Sequence, residues 1–329
     1  MKRISGSYEF PLLSIDYFDH QLRKASTMQK SQQSLIPQIQ KITVAVDGSE
    51  NSFRACELAG IIAKGVDAQV TTVSVLPSIS IFSAPMKQDY YSDQEKGARE
   101  SIEKAASLLM ANSGIKAGSE ILRSRGSVSD SLIKHITRER SDLVVAGTRG
   151  LGGFKRMLIG SVSSHLVSHS PSPVLVVRDP ETKKIKLKRI IVATDGSESS
   201  SRAERLAISL GKSLDLKLTF VSVVYLPPTS YAVGGGVAID KTLIALREDA
   251  TKAASKAASL AKSNGVQAET KVIDEFRSPV ASITNLAKKE EYDLVVVGTR
   301  GLGGFKKLAL GSVAEGILHY ASCSVLVAK

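Results

Sequence analysis

The sequence predicts an α/β protein made of two tandem, doubly wound domains, and three observations carry that expectation. The chain has 329 residues, too many for one ordinary α/β domain and enough for two that each bury a core. A fourteen-residue segment, Asp142 to Lys155, recurs at Asp293 to Lys306 with only Ala146 replaced, by Val297. Short apolar runs alternate with helical patterns in the same order in both copies, which is the mark of a parallel sheet wound by right-handed crossovers.

The repeat sets the domain organisation. A second echo pairs Ile42–Glu50 with Ile190–Glu198 at an offset of 148 residues, against 151 at the longer segment, so the copies differ by only a few inserted residues. The expected domains are 41–177 and 190–329, joined by a basic connector at 178–189 and preceded by an extension at 1–40. The extension mixes Gln/Ser stretches with a small apolar cluster (Phe10, Leu12, Leu13, Ile15, Tyr17 and Phe18) and reads as disordered or loosely packed.

Within the first copy, Ile42–Val46 is a β-branched run ending in Asp-Gly-Ser, a buried parallel strand followed by a helix start. Ala55, Leu58, Ala59 and Ile62 recur at helical spacing, with Cys56 inside the stripe as a small core residue. Val70–Leu76 reads as the second strand, ended by Pro77. A loop is expected through Tyr91, then Ser92-Asp93-Gln94-Glu95 as a capping box opening a helix to about Asn112. Glu120–Arg123 is the third strand, Ser127–Arg138 the third helix, Leu143–Ala146 the fourth strand, and Val174–Val177 the fifth after a helix beginning near Ser161. The second copy places strands at 190–194, 216–223, 270–273, 294–297 and 325–328.

Composition narrows the function classes. No run of eighteen apolar residues exists, and the first residues lack the apolar core of a signal peptide, so the expected location is a soluble, cytoplasmic one. Two cysteines, Cys56 and Cys323, suit a reducing compartment and cannot form a disulfide scaffold. A third of the net charge of +12 lies in the short connector, where 178–189 carries six basic and two acidic side chains. A solvated linker explains this better than a nucleic-acid patch, because the chain has no Trp and only 5% aromatics to stack on bases.

The informative site is Gly147-x2-Gly150-x9-Gly160-Ser161, repeated as Gly298-x2-Gly301-x9-Gly311-Ser312. Each instance follows an apolar strand and ends at a helix start. Glycines let backbone N–H groups turn toward a ligand, and a helix N-terminus favours phosphate. Asp47 and Asp195 close the first strands, and in a sheet whose winding reverses there they meet the glycines in one crevice. Phosphate donors facing a carboxylate suited to ribose or a phosphate-bound metal describe a nucleotide site. Neither G-x-x-x-x-G-K-[ST] nor G-x-G-x-x-G occurs, which argues against a Walker loop and a dinucleotide fold.

On these motifs the chain resembles the universal stress protein family, in its tandem form and ATP-binding branch. The resemblance spans both copies. It implies a five-stranded parallel sheet of order 3-2-1-4-5 in each, an adenine nucleotide (ATP, AMP or ADP) as ligand with Mg²⁺ as its companion, and fifth strands that mediate pairing. It implies Asp47 by the ribose, Ala45 and Val46 by the base, Val75 at the adenine edge, and Gly147, Gly150, Gly160 and Ser161 at the phosphates with Val162 and Ser163 adjoining. In the second copy it selects Ala193, Thr194, Asp195, Val223, Gly298, Gly301, Gly311, Ser312 and Val313. Arg277 stands where the first copy has Gly126, and Pro279 where it has Val128, so the second site is less certain to fill.

The function expected is that of a nucleotide-binding stress-response or regulatory protein, whose occupancy controls conformation or the binding of a protein partner. The alternatives are slow ATP hydrolysis or phosphotransfer with Mg-ATP held by Asp47 or Asp195, and nucleic-acid binding through 183–189. No residue stands out as a water-activating base, so no catalytic residue is assigned. Arg149, Arg300, Lys155 and Lys306 flank the phosphate loops. No metal site is assigned, since His20, His135, His165, His169 and His319 show no metal-binding spacing beyond the i,i+4 pair His165 and His169. The fifth strands, 174–177 and 325–328, are expected to meet as an intrachain pseudo-dimer, with further homo-oligomerisation open.

Overall fold

A computed structural model describes residues 36–78, 84–124, 126–148, 159–178, 185–226, 236–275, 278–301 and 310–329. The N-terminal extension up to 35, Arg149, Gly150, Lys155, Lys183, Lys184, Gly234, Gly235, Arg277 and Lys306 lie outside the described residues.

The body from Gln38 to Lys329 is one compact unit. Its first half runs β1 (Lys41–Ala45), α1 (Glu50–Val66), β2 (Gln69–Leu76), α2 (Ala84–Ser113), β3 (Gly118–Arg123), α3 (Val128–Glu139), β4 (Leu143–Gly147), α4 (Ser161–His169) and β5 (Val174–Val177). The second half repeats it as β6 (Arg189–Ala193), α5 (Glu198–Leu214), β7 (Lys217–Tyr225), α6 (Gly236–Ser263), β8 (Ala268–Glu275), α7 (Pro279–Lys289), β9 (Leu294–Gly298), α8 (Ser312–Tyr320) and β10 (Ser324–Ala328).

All ten strands form one sheet of order β3-β2-β1-β4-β5-β10-β9-β6-β7-β8. Each half therefore has the order 3-2-1-4-5 with parallel neighbours, and β5 pairs antiparallel with β10 at the seam, Leu175 opposite Leu326. The intrachain pairing of the fifth strands is thus a continuous sheet. Strands β4, β5, β9 and β10 sit at its centre and read as near-continuous Val/Leu runs because both faces are covered, with Val145, Leu175, Val296 and Leu326 fully buried. The outermost strand β3, by contrast, has no fully buried residue.

The helix ends follow local chemistry. Ser49, Ser127 and Ser197 cap α1, α3 and α5, their hydroxyls accepting from the N–H groups of Ser52, Asp130 and Ser200. The chain enters both halves the same way: Asp142 Oδ2 accepts from Gln40 N and Lys41 N, and Asp293 Oδ2 from Lys188 N and Arg189 N, at 2.9–3.0 Å.

Two expectations need correction. Helix α2 begins at Ala84, not at Ser92, so the loop expected through Tyr91 is helical from Ala84 on. Pro85 is tolerated in a first helical turn, and Glu95, read as the capping-box acid, instead pairs with Arg99 and Arg123. Strands β3, β7 and β8 extend two residues beyond the expected 120–123, 216–223 and 270–273 at one or both ends, while β7 starts one residue late at Lys217, the usual uncertainty of element ends. Of the connector, the described ends are partly packed, while Lys186 and Lys188 are exposed. Leu187 is buried, Arg189 belongs to β6, and the Arg178 guanidinium donates to Leu318 O and His319 O at 2.7 and 2.9 Å.

That last contact has a counterpart. Lys329 follows β10 as Arg178 follows β5, and its Nζ donates to Val167 O near the end of α4. Each half thus places a cation on the last carbonyls of the other half's final helix, where the helix dipole favours positive charge.

Candidate functional site

Each half carries a cleft at the carboxyl ends of its first and fourth strands, the switch point at which doubly wound sheets bind ligands. The first has a volume of about 1030 Å³ and the second about 350 Å³. Ligand pockets span roughly 300–1,000 Å³, so the first lies at the upper end of that range and the second near its lower end.

The sequence-selected residues converge on these clefts. Ala45, Val46, Asp47 and Val75 line the first from the β1 and β2 ends, and Gly147, Gly160, Ser161, Val162 and Ser163 from the β4 and α4 side. Gly150 lies outside the described residues. Ala193, Thr194, Asp195 and Val223 line the second cleft, facing Gly298, Gly301, Gly311, Ser312 and Val313. Pro279 and Arg300 line it too.

The phosphate side is built on helix starts without side-chain caps. Gly160 precedes α4 and Gly311 precedes α8, each extended and each lacking a side chain to satisfy the first-turn N–H groups. Backbone bonds from Gly160 N to Thr148 O (2.6 Å) and from Gly311 N to Thr299 O (2.7 Å) close the loop beneath each helix. Ser163 Oγ donates to Gly147 O at 2.6 Å and fixes the turn to the strand. The result is an anion-favouring concavity in both halves.

Opposite it, each aspartate is held by its own turn. Asp47 Oδ1 accepts from Ser49 N and Ser49 Oγ at 3.1 and 2.6 Å, and Asp195 Oδ1 from Ser197 N at 3.0 Å. Gly48 and Gly196 have φ of 86° and 79°, so a glycine follows each aspartate for backbone reasons. A Cβ on Gly301 would lie 2.6 Å from Asp195 Oδ2, so the second glycine of the motif lets the loop reach the carboxylate.

The first glycine of each motif has a different reason. A Cβ on Gly147 would meet the Asn51 backbone at 2.7 Å, and on Gly298 the Ser199 carbonyl at 2.5 Å. These glycines let α1 and α5 pack onto β4 and β9.

Sequence reasoning missed two features. Helix α2 covers the first cleft with Asp93, Gln94, Gly97, Ser101 and Lys104, and Lys104 Nζ lies 4.0 Å from the Phe53 ring centroid. The spacing of Asp93, Gly97, Ser101 and Lys104, i, i+4, i+8, i+11, marks one helix face and was the available signal. In the second half, Thr194 Oγ1 donates to Glu204 Oε1 at 2.5 Å, and burial pushes the Glu204 carboxyl above the usual carboxylate range.

Other chemistry stays structural. Burial pushes the Cys56 and Cys323 thiols up to about 12; Cys56 is buried in the core and Cys323 is half-buried against it. His165 and His169 share a helix face with rings stacked 4.1 Å apart, and no cluster able to hold a metal occurs among the described residues. None of the described helices is long and apolar enough to cross a membrane.

Fold and site together define a duplicated doubly wound α/β protein with one anion-favouring cleft in each half. The chain belongs to the universal stress protein family, whose model matches residues 38–178 and 186–329. It is 28% identical over 299 residues to a universal stress protein of Mycolicibacterium smegmatis, covering 88% of this chain and 96% of that one. It is 35% identical over 143 residues to one from Methanocaldococcus jannaschii, covering 43% of this chain and 82% of that one. The crystal structure of a universal stress protein from Archaeoglobus fulgidus superposes with a TM-score of 0.63 at 21% identity, covering 88% of this chain and 98% of that one, a likeness of fold.

Proposed function

We propose that both clefts bind an adenine nucleotide, ATP or its AMP and ADP relatives, and that occupancy regulates this stress-family protein's conformation or its choice of protein partner. The observation that carries the reading is the uncapped helix N-terminus at Ser161 and Ser312, set across a cleft from Asp47 and Asp195 and built twice. In this reading the first-turn N–H groups and Ser161 or Ser312 take the phosphates. The aspartates take the ribose hydroxyls, and Val46 or Thr194 lies along the base. Mg²⁺ would arrive with the phosphates, which suits a site where one carboxylate faces an anion subsite. The working division of the chain is 41–177 and 190–329 around the 178–189 connector, in a cytoplasmic setting that the two unpaired thiols suit.

The test is calorimetric titration of ATP into the full chain and into a Ser161→Glu, Ser312→Glu variant. An acid in a first helical turn favours the helix by about 0.3–1 kcal/mol, so the fold is kept while phosphate is repelled. Binding by the native chain, weakened about tenfold or more in the variant, is the expected outcome. Equal affinities would remove the helix termini from the site, and no binding by the native chain would remove the nucleotide.

A further inference from the structure

One wall of the first cleft has no counterpart in the second, and the first is about three times the larger, 1030 against 350 Å³. Helix α2 borders it along the face of Gly97, Ser101 and Lys104, whereas among the described residues none of α6 borders the second. Phe53 of α1 borders the same space, and the offset of 148 residues puts Ser201 at its place in the second half. The wall is fixed at two points. Glu95 pairs with Arg123 of β3 at 2.8 Å, and Lys104 Nζ lies 4.0 Å from the Phe53 ring centroid. The first cleft therefore has a preformed annex, continuous with the helix start at Ser161.

Gly97 is the residue that the fold alone does not explain. It stands well inside α2, where glycine is the poorest helix former short of proline. A Cβ built on it meets no atom within 4 Å, so no neighbour excludes a side chain. Gly114 and Gly265, with φ of 72° and 78°, follow the two long helices alike, and counting back from them puts Glu248 at the place of Gly97 in α6. What the glycine keeps open is the annex.

The side chains around it define what would fit. Asp93 and Glu100 bring acceptors, Gln94 and Ser101 bring both donors and acceptors, and Lys104 brings one cation. Two carboxylates against one ammonium disfavour a further polyphosphate. The ammonium already lies on the Phe53 ring, where a second base would have to stack. A group rich in hydroxyls can bond to every member of the set.

We propose that the first cleft takes a nucleoside diphosphate joined to a sugar, with the sugar in the annex between Phe53 and α2, while the second cleft takes the nucleotide alone. The inference rests on the nucleotide reading of the clefts and gives the first of them a larger substrate class.

The test uses the full chain in a Ser312→Glu background, which leaves the first cleft to report, titrated with ADP and with ADP-ribose. These differ by one sugar. ADP-ribose should bind about tenfold more tightly than ADP, as for one or two well-placed hydrogen bonds. Gly97→Gln should remove that preference by filling the annex and leave ADP as it was. Glutamine is also the better helix former, so this variant should melt no lower than its parent, and the loss cannot be one of folding. Asp93→Ala with Glu100→Ala, which adds no bulk, should bring the two affinities within about threefold of each other. In a Ser161→Glu background, which reports the second cleft, ADP-ribose should bind no more tightly than ADP. Equal affinities in the first cleft, or a preference that survives Gly97→Gln, overturn the annex while ADP binding stays intact. Failure of the native chain to bind either ligand overturns the nucleotide reading itself and this inference with it.

Discussion

Gly298→Ala separates the two reasons a glycine can stand in the phosphate loop. A Cβ at this position would lie 2.5 Å from Ser199 O, 2.6 Å from Ser199 C and 2.6 Å from Ser199 Oγ, where ordinary contact begins near 3.4 Å. The obstacle is helix backbone, so relief requires the first turn of α5 to move by roughly 0.9 Å or β9 to bend. Ser199 is 6% exposed and its hydroxyl accepts from Arg300 N at 3.1 Å, so that turn is held on both sides. Overpacking a core of this kind costs about 1–3 kcal/mol. In a domain of this size class, each kcal/mol lowers Tm by roughly 2–4 °C. Calorimetry should therefore show a fall of roughly 2–12 °C in the absence of ligand. Gly126→Ala is the control: nothing lies within 4 Å of its Cβ, and the effect should stay within about 0.5 kcal/mol. A Gly298→Ala melting curve superimposable on the native one would refute the packing argument. Loss of ATP binding with stability intact would assign the glycine to the ligand instead.

Two further outcomes follow from the buried titratable groups. Burial, with Arg300 nearby, pushes Lys329 from 10.5 down to about 8, so between these values the unfolded chain holds a proton that the folded chain has lost. Folding stability through that window should rise with pH for this group, and the rise should be missing in Lys329→Met. Urea denaturation from pH 7.5 to 10.5 in both proteins measures it, and equal slopes would contradict the assignment. The thiols behave oppositely to reactive ones: with Cys56 and Cys323 raised to about 12, a chromogenic disulfide reagent at pH 8 should label neither in the native chain and both after denaturation. Rapid labelling of either native thiol would count against its raised pKa.

Much of this frame was legible because the chain was written twice. The Val/Leu runs before Gly147 and Gly298 could only be central strands, and the duplicated glycine spacing located both clefts to within a few residues. The contacts that escaped notice join positions with no local signature. Arg178 meets Leu318 and Lys329 meets Val167, 140 and 162 residues away, and each cation reads in sequence as ordinary surface charge. The start of α2 was misplaced because a sound local cap signal, Ser92 to Glu95, lay inside a longer helix. Its acid is drawn to Arg123 on β3, a tertiary partner that overrides the local motif. Thr194 and Glu204 lay within reach of the same repeat comparison that found the glycines. They pass unnoticed when only identities between the copies are sought, because Val46 and Cys56 stand in their places in the first half.

The seam explains why some parts of the two halves stayed alike. Strand β5 donates and accepts along β10, and the cation after each of these strands holds the end of the other half's last helix. Helices α4 and α8 thus have their C-terminal ends fixed by the opposite half while their N-terminal ends face their own clefts. A cation at a helix C-terminus and an anion at its N-terminus are each favoured by about 0.3–1 kcal/mol through the same dipole. Rotating either helix to suit a new ligand would break a contact across the seam. The helix termini and glycines, which share this frame, are the parts that stayed alike between halves. Helices α1 and α5 also meet across the halves, where a Cβ on Gly65 would run into Leu214 Cδ2, so the frame extends to the far ends of both helices that follow the first strands.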